Sequence, residues 1–227
     1  MSSITKSSLI TIFALTAALA YLLVGISHFL MPPEQLHFAH GVTAEFFVSL
    51  SHEFLAFHFH YWAFILALLF TGGVFSLIQA EETWPRFYTI ARLWAYLGLA
   101  VLTFDFARMH FQAIHWAAGF SSLSSPAKEV LLASGLDRLD PYGISFNLIG
   151  FFVITLNYLE LRSRRLPRWI ALLGPAGGLL LQLVLVGTVS HLSLLIDLAA
   201  GLGGIVIFPL WLVSFGLWQR KDQALPI

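Results

Sequence analysis

The hydrophobic residues of this chain form six long runs separated by shorter polar stretches. Each run contains the roughly 20 mostly apolar residues that a helix needs to cross a bilayer. Apolar residues are continuous within a run and do not alternate with polar ones, which favours helices over the strands of a membrane barrel. The six predicted spans cover residues 9–30, 54–79, 88–116, 143–161, 169–189 and 195–218.

Composition places the chain among integral membrane proteins. Of its 227 residues, 58% are hydrophobic and 11% are charged, whereas a soluble domain has about one quarter charged residues. The 12 Lys and Arg residues balance the 12 Asp and Glu residues, which argues against a nucleic-acid partner. The absence of cysteine removes disulfides and the thiolate ligands that hold an iron–sulfur cluster. We therefore predict an all-α fold, in which residues 1–227 form a single transmembrane domain of six helices embedded in the lipid bilayer.

The basic residues predict the orientation of this bundle. With the N-terminus inside, nine Lys and Arg residues fall on the inner side and two, Lys128 and Arg138, fall on the outer side. Because short loops rich in Lys and Arg stay on the cytoplasmic side, both termini are predicted to lie inside. The inner residues are Lys6, Arg86, Arg92, Arg162, Arg164, Arg165, Arg168, Arg220 and Lys221.

Two long segments, residues 31–53 and 117–142, form the predicted outer loops. In the first, Phe46, Phe47 and Leu50 belong to an apolar stripe, which predicts a short amphipathic helix lying on the membrane surface. In the second, a serine-rich turn precedes a predicted short helix over residues 127–133. Loops of this length in a compact protein are often functional.

All nine histidines of the chain fall on the predicted outer side. His58 and His60 lie near the outer end of the second span, and His110 and His115 lie near the outer end of the third. We therefore predict a histidine-rich outer face. The other histidines are His28, His37, His40, His52 and His191.

The third span also carries a polar stripe. Asp105, Arg108, Gln112 and His115 are spaced i, i+3, i+7 and i+10, which places them on one face of a helix. Charged residues within a membrane span are energetically expensive and indicate a functional site by default. Asp105 and Arg108 are predicted to form an intramembrane charge pair.

Three interpretations of these polar residues remain open. The first is structural, with Asp105 and Arg108 neutralising each other and the histidines bonding to backbone and water at the interface. The second is a metal site, because imidazole and carboxylate groups bind zinc, copper and iron. The third is a haem or a quinone held by histidines on facing helices. The candidate cofactor ligands are His58, His60, His110 and His115, and the metal site adds Glu53 and Asp105.

Small and polar residues in the later spans predict how the helices pack. Gly174 and Gly178 form a G-x-x-x-G pattern in the fifth span, which predicts close packing of the fifth and sixth helices. Asn157 interrupts an apolar stretch of the fourth span, and we expect it to hydrogen-bond to a neighbouring helix.

Two stretches, residues 139–152 and 161–174, resemble a bacterial family of six-helix membrane proteins catalogued as domain of unknown function 4386. The second reads LRSRRLPRWIALLG, a basic turn followed by a glycine-containing helix, as in that family. The similarity covers mainly residues 139–180. It implies six helices and residence in the bacterial inner membrane, and it implies no activity.

The functional prediction follows from the absence of a catalytic motif in a small chain. We predict an accessory subunit of a larger redox or photosynthetic membrane complex, with other membrane-protein subunits as partners. The alternative is a small membrane oxidoreductase or binding protein that holds a metal, haem or quinone at the outer face. Retinal is disfavoured, because no lysine falls within a span to form a Schiff base.

Overall fold

The computed structural model describes residues 5–36, 42–78 and 85–222, with side chains up to Arg220. Every regular element within these ranges is helical. A 3-10 turn, Phe120–Ser122, follows α5, and a π-helical segment, Ala199–Ile207, joins α9 to α10. The helices are α1 Lys6–Leu30, α2 Pro33–Leu36, α3 Ala44–His52, α4 Leu55–Leu77, α5 Pro85–Gly119, α6 Ser125–Ser134, α7 Ile144–Ser163, α8 Arg168–Val189, α9 Ser193–Leu198 and α10 Phe208–Asp222.

Six helices are long and apolar enough to cross a membrane, which confirms the predicted fold class. Five are α1, α4, α5, α7 and α8, and the sixth runs from Ser193 to Arg220 through α9, the π segment and α10. Their bounds agree with the predicted spans to within a few residues, and the longest of them is α5. That helix has 35 residues and is therefore about 50 Å long, well beyond a bilayer core of about 30 Å.

The six spans form a closed ring in which each packs on the next along the chain, and the last packs back on the first. Aromatic side chains fill the centre, with the rings of Phe75 and Phe152 4.7 Å apart. Large apolar side chains stay exposed around the outside, including Leu19, Leu69 and Phe104. An apolar exterior of this kind is what a bilayer solvates, so the chain is an integral membrane protein.

The ring has two distinct ends. We call the end where α1 finishes and α4 begins the loop end; it carries α2, α3 and α6. We call the opposite end, where α7 finishes and α8 begins, the arginine end. At the arginine end Thr11 donates a hydrogen bond to the Gly216 carbonyl, and Trp218 donates one to the Arg165 carbonyl.

The apolar stripe predicted in residues 31–53 lies on a short helix, α3, and its apolar face packs on protein, whereas it was expected to face the membrane surface. Phe46, Phe47 and Leu50 of α3 are all buried. They join a second hydrophobic cluster with the last turns of α5 and with Leu131 of α6. The stripe has a protein partner because the last turns of the long helix α5 offer Met109, Ala113 and Ala117 as a packing surface. The predicted short helix over 127–133 lies within α6.

Helix α7 packs closely on α8 through small residues. A Cβ atom added to Gly150 of α7 would lie 2.6 Å from the Gly178 carbonyl oxygen. Gly174 and Gly178 therefore face the fourth span, whereas the G-x-x-x-G pattern was expected to face the sixth; Gly177 takes that contact. The expected interhelical bond of Asn157 is confirmed, since its Oδ1 accepts a hydrogen bond of 2.9 Å from Trp211 Nε1 of α10.

Candidate functional site

The two histidines of α4 lie on opposite sides of that helix. A separation of two residues rotates the side chain by about 200° around a helix, so His58 and His60 cannot join one site. His58 turns toward α5 and meets His110. His60 turns toward α1 and meets His28. The structure therefore divides the predicted histidines between two helix junctions.

His58 and His110 form the first pair, with ring centroids 4.8 Å apart and ring planes inclined at 63°. His110 is 1% exposed, and its Nδ1 is buried with no hydrogen-bond partner among the residues that the structure describes. His58 is half-buried. Aromatic rings surround the pair on both helices, namely Phe57, Tyr61, Trp62 and Phe111. Trp62 and Phe111 are exposed toward the lipid side of the ring.

The centroid spacing of this pair lies in the range of two neighbouring imidazole ligands of one metal ion, and it is also that of an ordinary edge-to-face ring contact. An imidazole centroid lies about 3.2 Å from an ion bound through nitrogen, since the N–metal bond is about 2.1 Å. Two such rings are about 4.5 Å apart at a right angle and about 5.2 Å apart at a tetrahedral angle. The observed 4.8 Å lies between these values. Axial ligands on opposite sides of a haem iron would need about 6.4 Å.

His60 belongs to a hydrogen-bonded group between α1 and α4. Its Nδ1 lies 3.2 Å from the Val24 carbonyl oxygen and 3.1 Å from Ser27 Oγ. The Ser27 hydroxyl donates its own hydrogen to the same carbonyl. Both neighbours therefore act as acceptors toward His60, so its Nδ1 carries the hydrogen. In the neutral ring this leaves the Nε2 lone pair free.

The polar stripe of α5 binds the segment that connects α6 to α7. Asp105 is fully buried, and its Oδ1 accepts a hydrogen bond of 2.6 Å from the Leu139 backbone N–H. Asp105 Oδ2 lies 3.6 Å from Arg138 Nε. Arg108 pairs with Asp137, and Gln112 Oε1 accepts a hydrogen bond of 3.1 Å from the Asp137 backbone N–H. We call residues 137–139 the strap.

The predicted charge pair between Asp105 and Arg108 is therefore replaced by two pairs to the strap. Both side chains share one face of α5, and the strap presents a residue of opposite charge to each of them. Asp105 takes Arg138, and Arg108 takes Asp137. Most of the stripe thus has a structural role, which is to attach the strap to the membrane helix.

The remaining predicted ligands do not join the histidine pairs. His115 is exposed and contacts the ring of Trp116. Glu53 is exposed and accepts a hydrogen bond from Gln35 through its backbone oxygen. Within the described residues, no three His, Asp or Glu side chains come close enough to form a metal-binding group. His37 and His40 lie outside the described residues.

An open cleft of about 510 Å³ lies at the loop end. Glu34, Glu45, His52 and Glu53 supply its ionisable side chains. Hydrogen bonds from the backbone N–H of Glu45 and from the Thr43 side chain lower the pKa of the Glu45 carboxyl. These bonds belong to the N-terminus of α3, where Thr43 is the cap residue. The hydrogen bonds of Glu45 therefore stabilise the N-terminus of α3.

Sequence reasoning missed the residues of the strap. The local signal beside the strap is Asp140, the residue that follows it. Asp140 accepts hydrogen bonds from the backbone N–H groups of Ile144 and Ser145 at the start of α7. Aspartate near a helix start is a recognised capping signal. The attachment of the strap to α5 has no local signal, because the partners are 25 to 34 residues apart.

Comparison with family models, with curated proteins and with solved structures finds no match to this chain.

Proposed function

We propose that this integral membrane protein binds a transition-metal ion through His58 and His110. The observation that carries the proposal is the buried His110 Nδ1, which has no hydrogen-bond partner within the described part of the chain and belongs to a ring 4.8 Å from that of His58. Leaving a buried polar atom unpaired costs about 1–3 kcal/mol. An ion shared with His58 offsets that cost, and imidazole nitrogen suits zinc, copper, iron and nickel.

Two protein ligands leave the other coordination positions of the ion to water or to an incoming ligand. A structural zinc site is closed by four protein ligands, whereas a site that keeps open positions exchanges its ligands. We therefore infer a site that binds and releases its ion. The aromatic rings around the pair exclude water from one side and leave the half-exposed His58 as the side of entry.

Equilibrium dialysis of the full chain in detergent against zinc, followed by metal analysis, tests the proposal. We expect about one zinc ion per chain in the unaltered protein and a loss of that ion in His110→Ala and in His58→Asn. The matched control is His115→Ala, which removes an exposed histidine of the same helix outside the pair. The melting temperature of each variant shows whether it is folded.

Three results would contradict the metal proposal. Zinc retained equally in all variants would place the ion elsewhere. A visible haem spectrum that disappears in His110→Ala would replace the ion with a haem. A quinone extracted from the unaltered protein, and missing from His110→Ala, would assign the pair to hydrogen bonding of a quinone carbonyl.

The orientation and location of the protein are part of the same proposal. We infer that both termini face the cytoplasm and that the membrane is the bacterial inner membrane. Nine inner Lys and Arg residues and the resemblance of residues 139–180 support this inference. The two histidine pairs would then face outward. A reporter fused after Ile227 that is active only in the periplasm would reverse the orientation.

A second candidate is an accessory subunit of a larger redox or photosynthetic complex. It is favoured by exposed apolar side chains that lie outside the six spans, namely Val130, Leu139 and Tyr142 at the loop end. Apolar groups gathered outside the membrane commonly mark a contact with another protein. Purification from the native membrane in a mild detergent tests this: a stoichiometric partner lost in Val130→Glu supports it, and a lone chain contradicts it.

A further inference from the structure

We propose a second and separate ion site between α1 and α4, formed by His28 and His60 and suited to a monovalent soft ion such as Cu(I). The two ring centroids are 6.1 Å apart. This pair shares no residue with His58 and His110, so it does not depend on the first site.

The hydrogen bonds of His60 prepare it as a metal ligand. Its Nδ1 hydrogen is directed to the Val24 carbonyl and to Ser27 Oγ, which leaves Nε2 as the unprotonated nitrogen. Histidines that bind metals almost always donate their other ring N–H to a carbonyl, a carboxylate or a water. Such a bond fixes both the tautomer and the orientation of the ring. His28, at the end of α1, is exposed and free to adjust toward an ion.

The centroid spacing of the pair matches a near-linear ion, provided that each ring turns one nitrogen toward it. Two imidazole rings on opposite sides of an ion are about 6.4 Å apart, and a tetrahedral arrangement brings them to about 5.2 Å. The observed 6.1 Å is near the first value. Near-linear coordination by two nitrogen atoms is typical of monovalent ions with a filled d shell, such as Cu(I) and Ag(I). Zinc prefers four ligands in a tetrahedron.

The surroundings of the pair also favour a single positive charge. The rings of Phe29, Tyr61 and Phe64 lie 5.6–6.3 Å from one or other histidine. Neutral imidazoles do not cancel the charge of the ion, and on the side of the buried His60 the cost of placing a charge among apolar rings rises steeply with its magnitude. A monovalent ion is therefore retained more readily than a divalent one.

Ag(I), which is stable in air, is the probe for this site. We would measure its affinity for the full chain in detergent by competition with a calibrated chelator. Removing either ligand should weaken binding about tenfold or more, so we expect that loss in His28→Ala and in His60→Ala. His28→Ala is the decisive variant, because its side chain is exposed and its removal leaves the core intact.

The variants of the first pair separate the two proposals. His58→Asn and His110→Ala should bind Ag(I) as the unaltered protein does, while His28→Ala should keep its zinc. An unchanged Ag(I) affinity in His28→Ala would overturn the inference, whatever zinc does. An Ag(I) affinity that falls in His110→Ala and not in His28→Ala would also overturn it, by moving Ag(I) to the first pair.

Discussion

Removing Arg138 should destabilise the protein far more than removing Arg108, although Arg108 is the arginine within the span. Arg138 faces Asp105, which is 0% exposed, whereas Arg108 and Asp137 are 41% and 62% exposed. Exposed ion pairs contribute about 1 kcal/mol or less. Loss of a partner that leaves a buried charge uncompensated is much more expensive.

The distance sets the size of the effect. Two unit charges 3.6 Å apart interact by about 4–5 kcal/mol at an effective dielectric constant of 20 and by about 1 kcal/mol in water. The Arg138 side chain is 34% exposed, so water screens part of the attraction. We therefore expect Arg138→Gln to lower the free energy of unfolding by about 2–3 kcal/mol.

A double-mutant cycle isolates the pair. Asp105→Asn keeps an oxygen that accepts the Leu139 N–H, so it removes the charge and retains the hydrogen bond. Once Asp105 is neutral, Arg138→Gln should have little further effect, which gives a coupling of about 1–3 kcal/mol. The assay is reversible unfolding in mixed micelles as the denaturing detergent increases, followed by the fluorescence of the seven tryptophans.

Arg108→Gln completes the comparison. It should cost about 1 kcal/mol or less and show little coupling to Asp105. A coupling energy between Asp105 and Arg108 as large as that between Asp105 and Arg138 would contradict the pairing of Asp105 with Arg138. It would support an Asp105–Arg108 pair within α5 instead.

Three further predictions concern other parts of the fold. Trp211→Phe keeps most of the buried ring but leaves Asn157 Oδ1 unpaired, so we expect a loss of about 1–3 kcal/mol in the same assay. Phe47→Ala removes a fully buried ring stacked 4.9 Å from Phe120; it should cost about 3–5 kcal/mol and speed hydrogen exchange in α3. The lowered pKa of Glu45 adds stability to α3 that is present above the ordinary glutamate pKa and is lost as the pH falls through the lowered pKa. Glu45→Gln should remove that pH dependence from the hydrogen exchange of α3, and an unaltered acid response would contradict it.

Hydropathy predicted the six spans because every helix that crosses a bilayer needs about 20 mostly apolar residues. It placed the end of α5 three residues early, before the small residues Ala117, Ala118 and Gly119 that continue the helix. It also assigned the α3 stripe to the membrane surface, whereas the stripe packs on protein. An apolar stripe is the same whether it meets lipid or protein, and only the overhang of α5 decides between them.

For the histidines and the charged residues, too, the sequence predicts the face of the helix but not the partner. The separation of His58 and His60 could be read from the sequence, since residues two apart on a helix face opposite directions. Which neighbour each would meet depended on the order of helices around the ring. The stripe of α5 was correctly placed on one face, but its partners come from the strap, which is distant in sequence.

X-ray absorption at the zinc edge of the dialysed, full-length protein tests the central claim most directly, because it counts the ligands of the ion. The account predicts two imidazole ligands at about 2.0–2.1 Å, with oxygen completing the shell, and the loss of this spectrum in His110→Ala. A shell of oxygen atoms alone, or an imidazole signal unchanged in His110→Ala, would contradict a metal site at His58 and His110.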